Sequence, residues 1–489
     1  MKEEIKDLTK GSATILFSLA GSGITVTLTS IVIARSVGVR EFGLYALILS
    51  VQSIVYVFAS LGIGTALTKY VAEFGKKDPD VATELTKTGF AFMLTLSGVS
   101  CLTYVSLGSL IGNQLYNEPD MTALIPFSAI ATASAAILNC VLGIAQGLQR
   151  MKLFAVLQLA APILTLFTVL IVVPSIGVQG AFIAAFLSQI AVSIFGVFWI
   201  NQSGFAFVRS RFGFRNSPLF RRLVHFSVPF VLSAVLVGPV YWLGSTELAL
   251  VSGLDAVGYF AIAFLFYQVL SIVPQSIIVP LLPKVSELEA HSRSAAKEHV
   301  LASMTIASTI LLPLALGIGL FAKSIIETFF GSSYAPASDT AYLMVTTSYF
   351  AALASIIGSM ITGMGRLWVG FGLNAIWAAF FLCIVFSLVP LSGLAGIGIA
   401  YAGSYSLHLM VSLFVSRRVL LADFNEIYRS VLVAAFILLL GYVAVIRFEW
   451  NWQLRLLYLV AGSSFFLLLT WKRKLRIREA ENPNPRNVE

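Results

Sequence analysis

Long apolar runs, broken by short clusters of charge, glycine and proline, recur from one end of the chain to the other. Alternation with a period of two is absent, so the runs predict helices rather than strands. Each is long enough to cross a hydrocarbon layer about 30 Å thick, which takes about 20 helical residues. Reading runs against breaks predicts fourteen spans, at 12–34, 43–66, 88–111, 121–147, 153–174, 179–200, 226–250, 257–282, 300–322, 338–362, 367–389, 394–415, 430–446 and 454–471. An even number returns both termini to the same side of the membrane. The first run begins at Gly11 and is too long for a signal-peptide core, so it is expected to be a retained span.

Composition agrees with an integral membrane protein. Hydrophobic residues make up 58%, charged residues 11%, and mean hydropathy is +0.90, against roughly 25% charged residues in soluble domains. The three cysteines, Cys101, Cys140 and Cys383, all fall inside apolar runs and have no metal-ligand spacing. They are expected to be packing thiols.

Charge sets the orientation. Of 32 Lys and Arg, 27 fall on the termini and every second connection, and 5 (Arg35, Arg40, Lys323, Arg447, Arg455) fall on the opposite side. By the positive-inside rule both termini are cytoplasmic, and the net charge of +9 reflects topology rather than affinity for nucleic acid. Basic clusters such as Arg209, Arg211, Arg215, Arg221 and Arg222, or Lys472-Arg473-Lys474, are expected to face anionic lipid headgroups.

The chain repeats itself. Gly147, Arg150, Pro174, Gly177, Gly180 and Ala184 return 216 positions later as Gly363, Arg366, Pro390, Gly393, Gly396 and Ala400, with Gln158 answered by Asn374 and Gln52 by Gln268. Phe42 to Ala46 also resembles Val257 to Ala261, at a spacing of 215. The predicted fold class is therefore an all-α polytopic membrane protein of about 14 transmembrane helices, with two parallel-repeat six-helix lobes and two extra C-terminal helices. Its expected divisions are 1–204 (spans one to six), a basic cytoplasmic linker 205–224, 225–420 (spans seven to twelve), and 421–489 (spans thirteen and fourteen with a basic tail).

Few residues carry chemistry. The longest outside loop, about Lys323 to Pro336, has no His or Cys, which argues against an extracytoplasmic catalytic domain such as a glycosyltransferase or glycan polymerase would need. Glu118 and Asp120, in a short outside turn, are expected to be solvated. No phosphate-binding loop precedes a helix, so ATP is not the expected direct energy source; a partner, an ion gradient or the substrate's own gradient would supply the energy. No metal site and no cofactor is expected. Ionisable and amide groups within or bordering spans are the candidates for substrate binding or gating, because each is costly in lipid unless it meets a partner or a water-filled cavity. They are Arg35 at the outer end of span one, Glu247 near the outer end of span seven, Gln52, Gln268, Gln158, Asn374, and His408 in span twelve. Arg35 and Glu247 occupy equivalent spans of the two repeats and could pair as an outer gate; alternatively Arg35 could hold a substrate phosphate, or both could snorkel to the interface.

The opening Lys10-Gly11-Ser12, the span ending Ala34-Arg35-Ser36-Val37-Gly38, the following Glu41-Phe42-Gly43-Leu44-Tyr45-Ala46, and the later Gly258-Tyr259 and Phe330-Gly331-Ser332-Ser333-Tyr334 resemble the polysaccharide-transport flippases of the multidrug/oligosaccharidyl-lipid/polysaccharide (MOP) superfamily over most of the chain. The resemblance implies two six-helix lobes in a V around a cationic cavity, and passage of a lipid-linked oligosaccharide from the cytoplasmic to the outer leaflet by alternating access. Of the arginines that line such cavities only Arg35 is matched, and Glu247 stands where relatives carry an Asp. It further implies a monomer in the cell membrane that forms no covalent bond, with lipid-linked glycan, membrane lipids and glycan-assembly enzymes as partners. A cation-coupled multidrug exporter of the same superfamily is the alternative, and it would need a carboxylate buried mid-span.

Overall fold

The structure is a computed structural model and describes residues 2–75, 77–202, 218–291, 293–364, 366–420, 425–448 and 450–481. Most of the basic linker 205–224, with Arg209, Arg211, Arg215 and Asn216, therefore lies outside the described residues, as does the end of the tail. The described chain is helical throughout: α1 (Lys2–Val37), α2 (Val39–Ser60), α3 (Ile63–Phe74), α4 (Pro79–Ser106), α5 (Pro119–Gly147), α6 (Met151–Gln202), α7 (Pro218–His291), α8 (Arg293–Leu320), α9 (Ala322–Phe329), α10 (Ser338–Gly363), α11 (Leu367–Ser392), α12 (Leu394–Leu420), α13 (Asn425–Phe448) and α14 (Trp452–Glu481).

Twelve of the described stretches are long and apolar enough to span a membrane. Two of them are double. Helix α6 has 52 residues, about 78 Å at 1.5 Å per residue, far beyond one hydrocarbon thickness. Its direction changes at Ile176 and Gly177, which leave helical geometry, and α7 does the same at Gly253. Divided there, the stretches give the fourteen expected spans, α2 and α3 together forming the second. The protein is a multi-pass membrane protein.

The repeat is visible in the backbone. Gly177 and Gly393, 216 apart, both have positive φ, 59° and 52°. Gly38 and Gly253, 215 apart, share φ 82° and 79° with ψ 178° and 177°. Only glycine enters this part of conformational space without strain, so the recurring glycines mark the same turn made twice. The ends of α5 and α10 match as well: the Arg150 amide donates to the Ala145 carbonyl and the Arg366 amide to the Ile361 carbonyl, each at 3.0 Å.

Contacts divide the chain into two compact units, Met1–Ala261 and Ile262–Glu489. The first contains α1 to α6 and the opening half of α7. Its core gathers Ile63 and Leu67 of α3, Val141 and Ile144 of α5, and Leu157 of α6. At the start of α4, Asp78 accepts the Val81 amide at 3.1 Å and Pro79 follows at the first helical position, a common helix start. In the second unit α10 is the most enclosed of the described spans and α14 the most exposed, so α10 is central and α14 peripheral. Helices α13 and α14 pack on α8. The Tyr342 hydroxyl of α10 donates to the Leu438 carbonyl of α13 at 3.0 Å, and the Arg455 guanidinium of α14 donates to the Leu320 carbonyl at the end of α8 at 2.9 Å. A cation at a helix C-terminus is favourable because unpaired carbonyls point there.

Serine and threonine within the spans cost little, because their hydroxyls donate back to their own helix. Thr25 donates to Gly21, Thr86 to Ala82 and Thr132 to Ser128, at 2.7 to 2.8 Å. Large apolar side chains such as Ile171, Trp368 and Leu391 stand more than 75% exposed, which is the solvent preference of a lipid-facing surface.

Candidate functional site

Within the first unit, the end that carries the α1–α2 turn and the α4–α5 connection is closed by close helix packing. This is the end that the charge count leads one to expect on the outer side. Gly43 of α2 lies against α7: a Cβ there would fall 1.9 Å from the Leu254 carbonyl oxygen and 2.9 Å from the Gly258 nitrogen. The contact is reciprocal, since a Cβ on Gly258 would fall 2.4 Å from the Val39 carbonyl oxygen. Each glycine thus faces the carbonyl four residues before the other. Gly43 and Gly258 are themselves equivalent positions of the repeat, so the repeated sequence crosses itself here at backbone contact.

Tyr116, which is buried, links the α4–α5 connection to the part of α7 before the Gly253 kink. The Trp242 indole donates to its hydroxyl at 2.9 Å. An indole N–H can only donate, so the phenol accepts there and can give its own proton to the Thr246 hydroxyl at 2.7 Å. Burial raises the pKa of the phenol above its ordinary value, which keeps it a neutral donor. Nearby, Arg40 grips both oxygens of Glu118 at 2.8 and 2.9 Å. Glu118 is thus an ion-pair partner rather than the free, solvated carboxylate the sequence suggested; Arg40 is half-exposed and the pair contributes little by itself. Arg35 is exposed just before the Gly38 turn, and Glu247 is half-buried next to Thr246, so both lie at this same end of the unit.

The amides separate into two groups. Gln52 is half-buried and its side chain donates to the Ser128 carbonyl at 2.6 Å, tying α2 to α5. Gln158, half-buried on α6, belongs to the same unit. The other three candidates, Gln268 (exposed), Asn374 and His408 (both half-buried), lie in the second unit on faces that meet at a cluster of rings.

That cluster joins three helices. On α7, Phe264 and Tyr267 stack at 5.3 Å, with Gln268 one turn beyond Phe264. On α11, Trp377 stacks on Phe381 at 5.8 Å, with Asn374 one turn before Trp377. On α12, Tyr401, Tyr405 and His408 form one stripe at helical spacing. The stripes interlock: Phe381 meets Tyr401 at 4.6 Å, Phe264 meets Tyr401 at 5.9 Å, Trp377 meets Tyr405 at 5.2 Å and Tyr267 meets Tyr405 at 6.2 Å. Sequence reasoning picked the polar residues and passed over the rings, although their three- and four-residue spacing was the available signal.

Among the described residues no group of three or more His, Cys, Asp or Glu could hold a metal ion. The described cysteines are unbridged; Cys140 is buried, Cys101 half-buried and Cys383 exposed.

A family profile described as polysaccharide biosynthesis protein matches residues 8–289, more than half of the 489-residue chain. The chain belongs to this family. Its relatives include an uncharacterized membrane protein of Methanocaldococcus jannaschii, 20% identical over 376 residues that cover 74% of this chain and 87% of that one. Similar solved structures include the lipid II flippase MurJ in an inward closed conformation (TM-score 0.74, 13% identity, 94% of this chain and 100% of that chain). A multidrug resistance MATE family transporter in an inward-facing conformation is also similar (TM-score 0.68, 17% identity, 82% and 94%). So is a transporter of Pyrococcus furiosus (TM-score 0.65, 16% identity, 85% and 95%). At these identities the likeness is one of fold, and the last two proteins are described as members of the MOP superfamily.

This member of the polysaccharide biosynthesis protein family thus shares its fold with transporters described as members of the MOP superfamily. The family match takes in the first eight spans, hence Arg35, Gln52, Gln158, Glu247, Gln268 and the Gly43–Gly258 crossing. Asn374, His408 and the α11 and α12 parts of the ring cluster lie beyond it.

Proposed function

We propose that this protein moves a lipid-linked oligosaccharide, on a polyprenyl phosphate or pyrophosphate carrier, from the cytoplasmic to the outer leaflet by alternating access. The observation that carries the reading is the polysaccharide biosynthesis match on a chain that shares its fold with a lipid II flippase. The task suits the chemistry. A phosphate-linked glycan cannot enter hydrocarbon unaided, but a protein can shelter the hydrated head while the polyprenyl tail stays in lipid. No covalent bond is made or broken, so the protein works as a transporter and not as an enzyme. Its setting is the cell membrane beside glycan-assembly enzymes, as a monomer, with energy drawn from an ion gradient.

A cation-coupled multidrug exporter is the second reading, favoured by the fold shared with a multidrug resistance transporter. Against it, every described Asp and Glu in the spans lies within about two turns of a helix end or kink, whereas cation coupling calls for a carboxylate deep in a span. A deletion strain distinguishes the two. Loss of this protein is expected to leave lipid-linked glycan in the cytoplasmic leaflet and to deplete surface glycan. Normal surface glycan with raised drug sensitivity would replace the first reading with the second.

The orientation is tested separately. In a background where Cys101, Cys140 and Cys383 are replaced by alanine, a cysteine at Asn117 is expected to react with a membrane-impermeant maleimide added outside. One at Asn216, outside the described residues, should react only after permeabilisation. The reverse pattern would move Arg35 to the cytoplasmic side and remove it from any outer gate.

A further inference from the structure

We infer that the ring cluster of α7, α11 and α12 is a subsite for a sugar ring of the transported glycan. The inference rests on the lipid-linked oligosaccharide reading and gives it a location. It starts from two polar atoms. Trp377 is 6% exposed, and its indole Nε1 has no hydrogen-bond partner; His408 Nδ1 is likewise enclosed and without a partner. Buried polar groups are paired in the great majority of proteins, and each exception calls for an explanation.

The two orphans are complementary. The indole N–H can only donate. His408 hydrogen-bonds with the Leu373 backbone, and a backbone carbonyl there accepts from a ring N–H. That leaves Nδ1 of the neutral imidazole as an acceptor. Tyr405 packs against both rings, at 5.2 Å from Trp377 and 6.3 Å from His408. A donor and an acceptor packed against one aromatic ring suit the hydroxyls of a sugar, which can accept from the first and donate to the second.

Three ligand classes can be compared on this chemistry. A polyprenyl chain would satisfy neither atom. A phosphate accepts only, so it could serve Trp377 and would leave His408 unmet. A lipophilic cation would favour the ring faces, but it would serve neither orphan as both donor and acceptor, and no described carboxylate belongs to the cluster. A pyranose offers an apolar C–H face to stack on Tyr405 or Tyr267 and hydroxyls on its rim for the polar atoms. Rings with a polar edge suit such two-sided contact. Gln268 and Asn374 extend the same helix faces with amides able to give and accept further hydrogen bonds. Both atoms are enclosed in this conformation, so entry of a sugar requires a side chain packed against them, such as the half-buried Tyr405, to turn aside.

The test uses the full-length protein in nanodiscs and native mass spectrometry. The probes are polyprenyl diphosphate alone and the same carrier bearing a single glucose, galactose or N-acetylglucosamine. At least one sugar-bearing carrier is expected to bind about tenfold more tightly than the bare one, equivalent to about 1.4 kcal/mol. Trp377→Phe, which keeps the ring and deletes the donor, and His408→Leu should each shrink that advantage to about twofold or less while leaving the bare carrier unchanged. Equal binding of bare and sugar-bearing carriers overturns the subsite and leaves the carrier reading standing, whereas binding of none of them overturns the carrier reading as well. Equal weakening of all carriers by the variants shows a packing role and overturns the subsite. So does displacement of the sugar-dependent binding by tetraphenylphosphonium, which would mark a cation site. Thermal melting of each variant separates loss of binding from loss of fold.

Discussion

Gly43→Ala is expected to lower glycan export more than tenfold at unchanged expression. Its Cβ would sit 1.9 Å from the Leu254 carbonyl oxygen, which is main chain and cannot swing aside. The two helices must then separate, and overpacking of this kind costs about 1–3 kcal/mol. Alternating states differ by only a few kcal/mol, so such a cost shifts their balance by about fivefold to more than a hundredfold against the closed outer crossing. Gly258→Ala should act the same way from the other side. Gly98→Ala is the control: nothing lies within 4 Å of a Cβ there, and removing a glycine from an exposed helical position stabilises by about 0.5–1 kcal/mol. A readout free of any substrate is available in Leu254, 6% exposed. A cysteine there should be protected from an external maleimide in the parent protein and react in the Gly43→Ala background. Normal export and continued protection in both glycine variants would falsify the crossing as a moving part.

The second large effect concerns Arg35 and Glu247. If they form an outer gate, removing either charge should cut export about tenfold, about 1.4 kcal/mol, with folded protein unchanged. The double exchange Arg35→Glu with Glu247→Arg should then recover part of the loss, because opposite charges are restored at the same end of the first unit. If Arg35 holds substrate phosphate, the exchange fails to rescue, since a carboxylate in its place repels the anion. Full export by both Arg35→Ala and Glu247→Ala would leave only contact with the membrane interface. The half-buried setting of Glu247 beside the Tyr116–Thr246 hydrogen bond makes it the more sensitive of the two positions.

What could be read before the structure was known follows from constraints that act along the chain. Hydrocarbon demands a helix of about 20 residues for each crossing, so the spans announce themselves by length. Gly177 and Gly393 announce a repeated turn, because positive φ with strongly negative ψ is a backbone that glycine alone adopts without strain. Gly38 and Gly253 carried the same signal, one short step from the Phe42 and Val257 match, and could have been found by it. Partners across space were another matter. In a soluble helix the apolar stripe says which face is buried, but in a membrane the lipid face and the protein face are both apolar, and the contrast that reveals a packed side is lost. Hence Gln52 could be recognised as needing a partner, but not that the partner is the Ser128 carbonyl. The stripe Tyr401, Tyr405 and His408 could be placed on one face of a helix, but not against Trp377 and Tyr267. The chain by itself determined the helices, their number, their turns and their repetition, because those depend on neighbours in sequence. Only the tertiary structure decided that Gly43 meets the backbone of its own repeat at Gly258, and that Trp377 of α11 joins His408 of α12 against one tyrosine, because each depends on residues at least 28 positions apart meeting in space.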